Sequence, residues 1–223
     1  MDTVLKMNNV SFSYTTKAGP VEILQGATYE FASHKIYTIF GSSGSGKTTT
    51  LSLLGALDAP TKGKVLFRGR DIGEIGEGRY RNKNVGIVFQ AYNLLAYLTP
   101  LQNVLAAMDI AKVSVNDKKE YAGALLRKMG LSETLFHRNV NRLSGGEQQR
   151  VAIARAISTN AEVLLADEPT GNLDAGTAKE IMDIFVRLAH EEGKCVIVVT
   201  HSREFAEVAD VVVRLEGKQL VNG

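Results

Sequence analysis

Apolar positions change their spacing along this 223-residue chain, and the changes predict where strands give way to helices. The first forty residues read as antiparallel strands: Val4-Leu5-Lys6-Met7 and Val10-Ser11-Phe12-Ser13-Tyr14, a polar turn over 15–20, then 21–24 and 27–31. Ile36-Tyr37-Thr38-Ile39-Phe40 is a further strand, and 49–54 reads as the first turns of a helix. A turn over 59–63 precedes a strand at 64–68, and glycines and charges over 69–84 indicate loop and short helix. Residues 85–89 form a buried strand ended by Gln90. Segments 101–111, 117–129 and 147–159 favour helix. Val163-Leu164-Leu165-Ala166 is a continuous apolar run too short for one. Over 175–192, Ile181, Ile184, Phe185 and Leu188 fall at the i, i+3, i+4, i+7 spacing of one helix face. Strands at 196–199 and 211–215 follow, with Glu216-Gly217 as a hairpin turn.

Apolar strands alternating with helices predict an α/β fold with a mostly parallel sheet covered on both faces. The helix-rich stretch 91–160 interrupts that order and reads as an inserted helical subdomain. Residues 1–90 and 161–223 would then form the core of one domain, with an antiparallel β-subdomain at its N-terminal end.

Composition changes this picture little. Hydrophobic residues at 44% and charged residues at 22% are ordinary for a globular protein. A net charge of +2 is too small to argue for nucleic acid or an anionic membrane surface. The single cysteine, Cys195, lies in an apolar run and reads as core, so no disulfide framework forms within one chain. The first ten residues have no apolar signal region, and no apolar run approaches the roughly 18 residues of a membrane span. These features lead us to expect a soluble, cytoplasmic protein.

Candidate chemistry begins at Gly41-Ser42-Ser43-Gly44-Ser45-Gly46-Lys47-Thr48, between a strand and a helix. That is the context of a phosphate loop: Gly41, Gly44 and Gly46 let backbone N–H groups curl inward at a helix N-terminus, where anions are favoured. Lys47 would meet the β- and γ-phosphates, and the Thr48 hydroxyl would ligate Mg²⁺. A flexible Gly/Ser turn is the plainer alternative. Asp167-Glu168 ends a buried strand, where open α/β sheets bind ligands. Asp167 is placed to hold Mg²⁺ and Glu168 to polarise a water as general base; alone, the pair would also suit a solvated acidic turn. His201 exits another core strand toward the same region, whereas His34, His137 and His190 lie in polar surroundings and read as solvent-facing. Position alone leaves His201 as compatible with a structural role as with a bond to the γ-phosphate. Gln90 could reach the metal or the lytic water. Leu143-Ser144-Gly145-Gly146-Glu147 precedes a helix beginning near Glu147, and reads either as its capping turn or as a second anion site.

These pieces, in this order, resemble the ATP-binding-cassette (ABC) ATPases over the whole chain. The signature is LSGGEQQR at 143–150, the Q-loop residue is Gln90, the D-loop is Leu173-Asp174 and the switch histidine is His201. The resemblance implies a P-loop NTPase fold and a head-to-tail dimer. ATP would lie between residues 41–48, with Thr49, of one chain and Ser144, Gly145, Gly146 and Glu147 of the other. It counts Asp174 among the nucleotide contacts, Gln90 with Thr48 and Asp167 among the Mg²⁺ ligands, and Lys47, Gln90, Glu168 and His201 as catalytic. Tyr14 falls where such proteins set an aromatic ring against adenine; a core tyrosine is the alternative.

Finer features resemble the branch containing macrolide exporters, lipoprotein-releasing ATPases, antimicrobial-peptide exporters and the cell-division ATPase. Ala96, Gln102, Val140 and Arg142 depart from that branch, as does Ser33-His34-Lys35 where a glycine turn is usual. The implied role is the ATP-hydrolysing subunit of a bacterial export or extraction complex. It would sit on the inner face of the membrane through a separately encoded permease. The alternative is a non-transport engine acting on a signalling or cell-wall-remodelling complex. DNA repair or chromosome maintenance is disfavoured, since the chain has no coiled coil, zinc motif or basic stripe, and nucleic acid is not expected as a partner.

Overall fold

The computed structural model describes residues 2–17, 19–42 and 44–223. Met1, Ala18 and Ser43 fall outside them, so the expected nucleotide contact of Ser43 lies outside the described residues. Two long antiparallel strands, β1 (Thr3–Thr16) and β2 (Gly19–Ala32), lead to β3 (Lys35–Phe40) and α1 (Lys47–Leu54). Then come β4 (Lys62–Phe67), β5 (Arg70–Asp71), the short helices α2 (Ile72–Ile75) and α3 (Glu77–Lys83), and β6 (Val85–Val88). Helices α4 (Pro100–Ile110), α5 (Lys118–Lys128) and α6 (Gly145–Ile157) follow, with 3₁₀ turns at Glu133–Leu135 and Val140–Arg142. The chain closes with β7 (Val163–Asp167), α7 (Ala175–His190), β8 (Cys195–Thr200), α8 (Arg203–Val208), β9 (Val211–Glu216) and β10 (Gln219–Asn222).

Two sheets result. One is antiparallel, in the order β2-β1-β4-β5; the other runs β10-β9-β3-β8-β7-β6, parallel except for the β9–β10 hairpin. The continuous apolar strands are explained by a period of two, in which successive side chains enter different cores. Cys195, Ile197 and Val199 of β8 join the antiparallel sheet and α1 in one cluster. Val196 and Val198 join Ile181, Ile184, Phe185 and Leu188 of α7 in the other. Each such fully buried side chain contributes about 1.5–3 kcal/mol. The second cluster runs on without a break into the helical stretch, through Leu101, Val104, Leu126 and Val151.

Several boundaries differ from expectation. The pairs 4–7 with 10–14 and 21–24 with 27–31 are each one strand; shifts in register mark the irregularities that broke the sequence pattern. The turn between them is correspondingly shorter than 15–20. Helix α6 starts at Gly145, two residues before Glu147. Glu216 is still in strand, and the last hairpin turns at Gly217 and Lys218, both left-handed (φ 56° and 65°). His34, in the Ser33-His34-Lys35 turn, takes a left-handed φ of 59°. Gln102 closes a capping box with Thr99 at 3.0 and 3.2 Å.

Helix α6 seats directly on β6. A Cβ on Gly86 would lie 2.3 Å from the Ala156 carbonyl oxygen. Because the obstacle is backbone, Gly86→Ala should destabilise the protein by about 2 kcal/mol as an overpacking change, read as a lower urea midpoint. An unchanged midpoint would show that α6 can lift off the sheet freely.

Candidate nucleotide site

The parallel strands bring distant residues to one edge. Phe40 lies opposite Thr200, and Asp167 opposite Val199, so Gly41, Glu168 and His201 all emerge from the same end of β3, β7 and β8. Gln90 comes from the adjoining β6, two residues beyond the strand rather than at its last position. Among the described residues, a cleft of about 750 Å³ is lined by Tyr14, Ile23, Gly44, Gly46, Lys47, Thr48, Thr49, Gln90, Glu168 and His201.

The phosphate loop is already curled. Gly46, the N-terminal flank of α1, has φ 102°, and a Cβ there would come within 2.5 Å of Ile23. Lys47 is 8% exposed and donates to the Gly41 and Ser42 carbonyls, each at 2.8 Å. Among the described residues, the ammonium is thus held inside the loop with neutral partners and no carboxylate, and the Ser45 hydroxyl is buried without a partner. A desolvated cation, an unpartnered hydroxyl and free helix N–H groups are a fit for phosphate oxygens.

Thr48 donates to Asp167 Oδ1 at 3.3 Å. Burial pushes the Asp167 carboxyl above its usual range; the Thr48 hydroxyl and Lys47 oppose the shift, and Glu168 adds to it. An oxygen pair of this kind fits Mg²⁺, which keeps several waters and takes one or two protein oxygens.

Glu168 follows directly in a left-handed conformation, φ 44°, which a non-glycine residue adopts only under constraint. The constraints are visible. Its backbone N–H donates to Val199 O at 2.8 Å, and Oε2 accepts the Thr200 hydroxyl at 2.7 Å. Oε1 lies 2.7 Å from His201 Nδ1. With Glu168 ionised, that distance requires the proton on Nδ1, so a neutral His201 offers only a lone pair at Nε2. To donate to a phosphate, His201 must leave Glu168 or take a second proton.

Tyr14 is 43% exposed at the rim, its hydroxyl 3.2 Å from Thr49 Oγ1, so the core-tyrosine alternative falls. Gln90 is tied to Asn172, through Nε2 to Oδ1 at 3.4 Å and from Asn172 Nδ2 to the Gln90 carbonyl at 3.2 Å. Neither Asn172 nor Thr200 was singled out in sequence, although Thr200 adjoins His201 at a strand end and was within reach of that argument.

The signature residues stand apart from this cleft. The Ser144 hydroxyl accepts the Glu147 N–H at 3.3 Å, and the Glu147 carboxylate accepts the Ser144 N–H at 2.8 Å. The capping turn is therefore real, and Glu147 acts in it as an acceptor. Gly146 packs so closely on Thr177 that a Cβ would come within 2.4 Å. Asp174 caps α7, accepting the Thr177 N–H at 3.0 Å and its hydroxyl at 2.7 Å. Arg155, near the far end of α6, grips the carbonyls of Tyr92 and Asn93, two successive left-handed residues just past Gln90.

A phosphate loop on a mixed sheet, two strand-end carboxylates and a capped LSGGE turn define a nucleotide-hydrolysing cassette. The chain belongs to the ABC transporter family, whose sequence profile matches residues 24–171. It is 47% identical over 213 residues to an ABC transporter ATP-binding protein of Bacillus subtilis, YclH, covering 96% of this chain and 93% of that one. It is 40% identical to the macrolide export ATP-binding/permease protein MacB of Syntrophobacter fumaroxidans, covering 95% of this chain but 30% of MacB. The ATP-binding cassette MJ0796, solved as a dimer in a post-hydrolysis state with ADP and Pi, superposes with a TM-score of 0.89 at 32% identity, covering 98% and 97% of the two chains. This protein is an ATP-binding, ATP-hydrolysing ABC subunit. Among the described residues no helix is long and apolar enough to cross a membrane.

Proposed function

We propose that two copies of this chain close head to tail on ATP and drive export or extraction through a separate membrane permease, from the cytoplasmic face. The observation that carries the composite site is the separation of its halves. The cleft holds the phosphate loop and Glu168 but no residue of 143–147, while that turn presents a glycine-rich N-terminus of the 13-residue α6. A partner chain supplies what each cleft lacks. The dimeric cassette MJ0796 supports pairing, and MacB, which joins ATP-binding and permease parts in one protein, supports a permease partner. Residues 91–160 act as the arm that meets it, with 1–90 and 161–223 as the core.

In this reading Tyr14 packs on adenine, and Gly41 to Thr49 hold the phosphates. Thr48 and Asp167, with Gln90, hold Mg²⁺, which when bound neutralises charge on the phosphate oxygens. A carboxylate oxygen of Glu168 takes a proton from water as that water's oxygen bonds to the γ-phosphorus. The bond from phosphorus to the bridging oxygen breaks, and ADP leaves with the electron pair. Lys47 offsets the charge on the β- and γ-oxygens throughout, and His201 contacts the γ-phosphate.

Ser144→Arg tests the shared site, because it places a bulky cation where the partner's phosphate must dock and leaves the chain's own cleft intact. ATPase activity should fall by about one decade or more, with the affinity of the monomer for ADP retained. Full activity in this variant would remove the composite site.

A further inference from the structure

A second cavity, of about 480 Å³, adjoins the nucleotide cleft. Among the described residues the two cavities share Glu168 and His201 and no others. These two side chains are therefore the partition between them. Glu168 Oε1 meets His201 Nδ1 at 2.7 Å while Oε2 is anchored by the Thr200 hydroxyl, and the outer half is an imidazole 74% exposed. Beyond it, Ala178 and Met182 of α7 face Ser202 and Arg203.

Hydrolysis creates a transport problem at this place. With the base at Tyr14 and cleavage at Glu168, ADP fills the outer part of the cleft while inorganic phosphate forms at its inner end. We infer that phosphate leaves through the partition into the second cavity, with the His201 ring as the moving part and Arg203 as the first cation it meets. The inference rests on the ATPase reading of the cleft.

Two features support the route. First, Arg203 lines the cavity without an ion pair among the described residues, so its guanidinium is available to an anion. Second, the cavity is not a trap. Glu204 shares it, its carboxyl held below the usual range by the Ser202 hydroxyl, and opposes retention of phosphate. One cation near the gate and one anion beside it suit passage better than storage.

The test separates bond cleavage from product release in the full chain with Mg-ATP. Rapid quench reads cleavage, a fluorescent phosphate-binding sensor reads free phosphate, and a fluorescent ADP analogue reads nucleotide release. Ala178→Phe narrows the cavity from α7, and Arg203→Glu reverses its cation; neither residue lines the nucleotide cleft. Both variants should cleave ATP at the wild-type rate while releasing phosphate about tenfold more slowly, one decade of rate. Bound phosphate then accumulates as a burst that the wild type lacks. Wild-type phosphate release in both variants overturns the route, and so does cleavage that slows in step with release, which would make the cavity a water supply or a structural feature. Should Ala178→Phe lower the melting temperature or ADP affinity, the exposed Arg203→Glu decides alone. A wild-type chain that cleaves no ATP counts against the ATPase reading, whereas normal cleavage with unaltered release counts against the route alone.

Discussion

Glu168→Gln is expected to slow hydrolysis by roughly 10²- to 10⁴-fold, the range of a positioned general base, while leaving ATP bound. The hydrogen bonds around the residue show why binding survives. The Thr200 oxygen already accepts the Ser202 N–H at 3.0 Å, so its own proton points to Glu168 Oε2. A glutamine carbonyl accepts that proton equally well. The glutamine amide then donates to Nδ1 of His201, which needs only the other imidazole tautomer. No buried group loses a partner, and the strained backbone at φ 44° keeps its anchor at Val199. What disappears is the capacity to accept a proton from water. Uncleaved ATP should then bridge Lys47 of one chain and Ser144 of the other. Light scattering should find a dimer in Mg-ATP and a monomer in ADP at equal protein concentration. High salt should weaken the dimer only in part, since contacts enclosed around phosphates are screened less than exposed ones. Rapid turnover in this variant would take the general-base role away from Glu168.

Lys47→Ala should lower ATPase activity by roughly 10²-fold or more, the scale for losing one preorganised electrostatic contact at a transition state. Two losses coincide there. The positive charge that meets the phosphates goes, and the Gly41 and Ser42 carbonyls lose the ammonium that now bonds both. The loop is then left with two carbonyl acceptors that have lost their ammonium donor. ATP affinity should fall along with turnover, in contrast to Glu168→Gln, and a filter-binding or fluorescence titration distinguishes them. Turnover above a tenth of wild type, about 1.4 kcal/mol of barrier, would leave the phosphate-loop assignment without its central residue.

Legibility in the sequence followed the range over which each signal acts. The strand–loop–helix unit at 36–54 and the helix carrying Ile181, Ile184, Phe185 and Leu188 were legible because spacing alone determines them. The start of α6 was not, since Gly145 and Gly146 are poor helix formers and enter the helix only because Ser144 and Glu147 close a cap around them. Strand β10 was missed because Gln219–Asn222 is a mostly exposed edge with one buried residue, Leu220. At the site, the identities of Lys47, Asp167, Glu168 and His201 were legible from motifs at strand ends. Their bonds were not. That Glu168 is shared between Thr200 and His201 depends on strands meeting across more than thirty positions of sequence, and that Lys47 rests on its own loop depends on how the backbone curls locally.

Cys195 sits in the middle of β8 with no exposed surface, and burial pushes its thiol well above the usual range. At neutral pH it therefore has neither thiolate character nor a path to reagent. For chemical labelling the natural chain is already blank. A cysteine introduced at a surface position would be the one thiol that a maleimide or a bifunctional crosslinker finds, with no prior replacement of core residues. Spectroscopic rulers and crosslinks between two copies can accordingly be placed on a protein whose interior is unaltered.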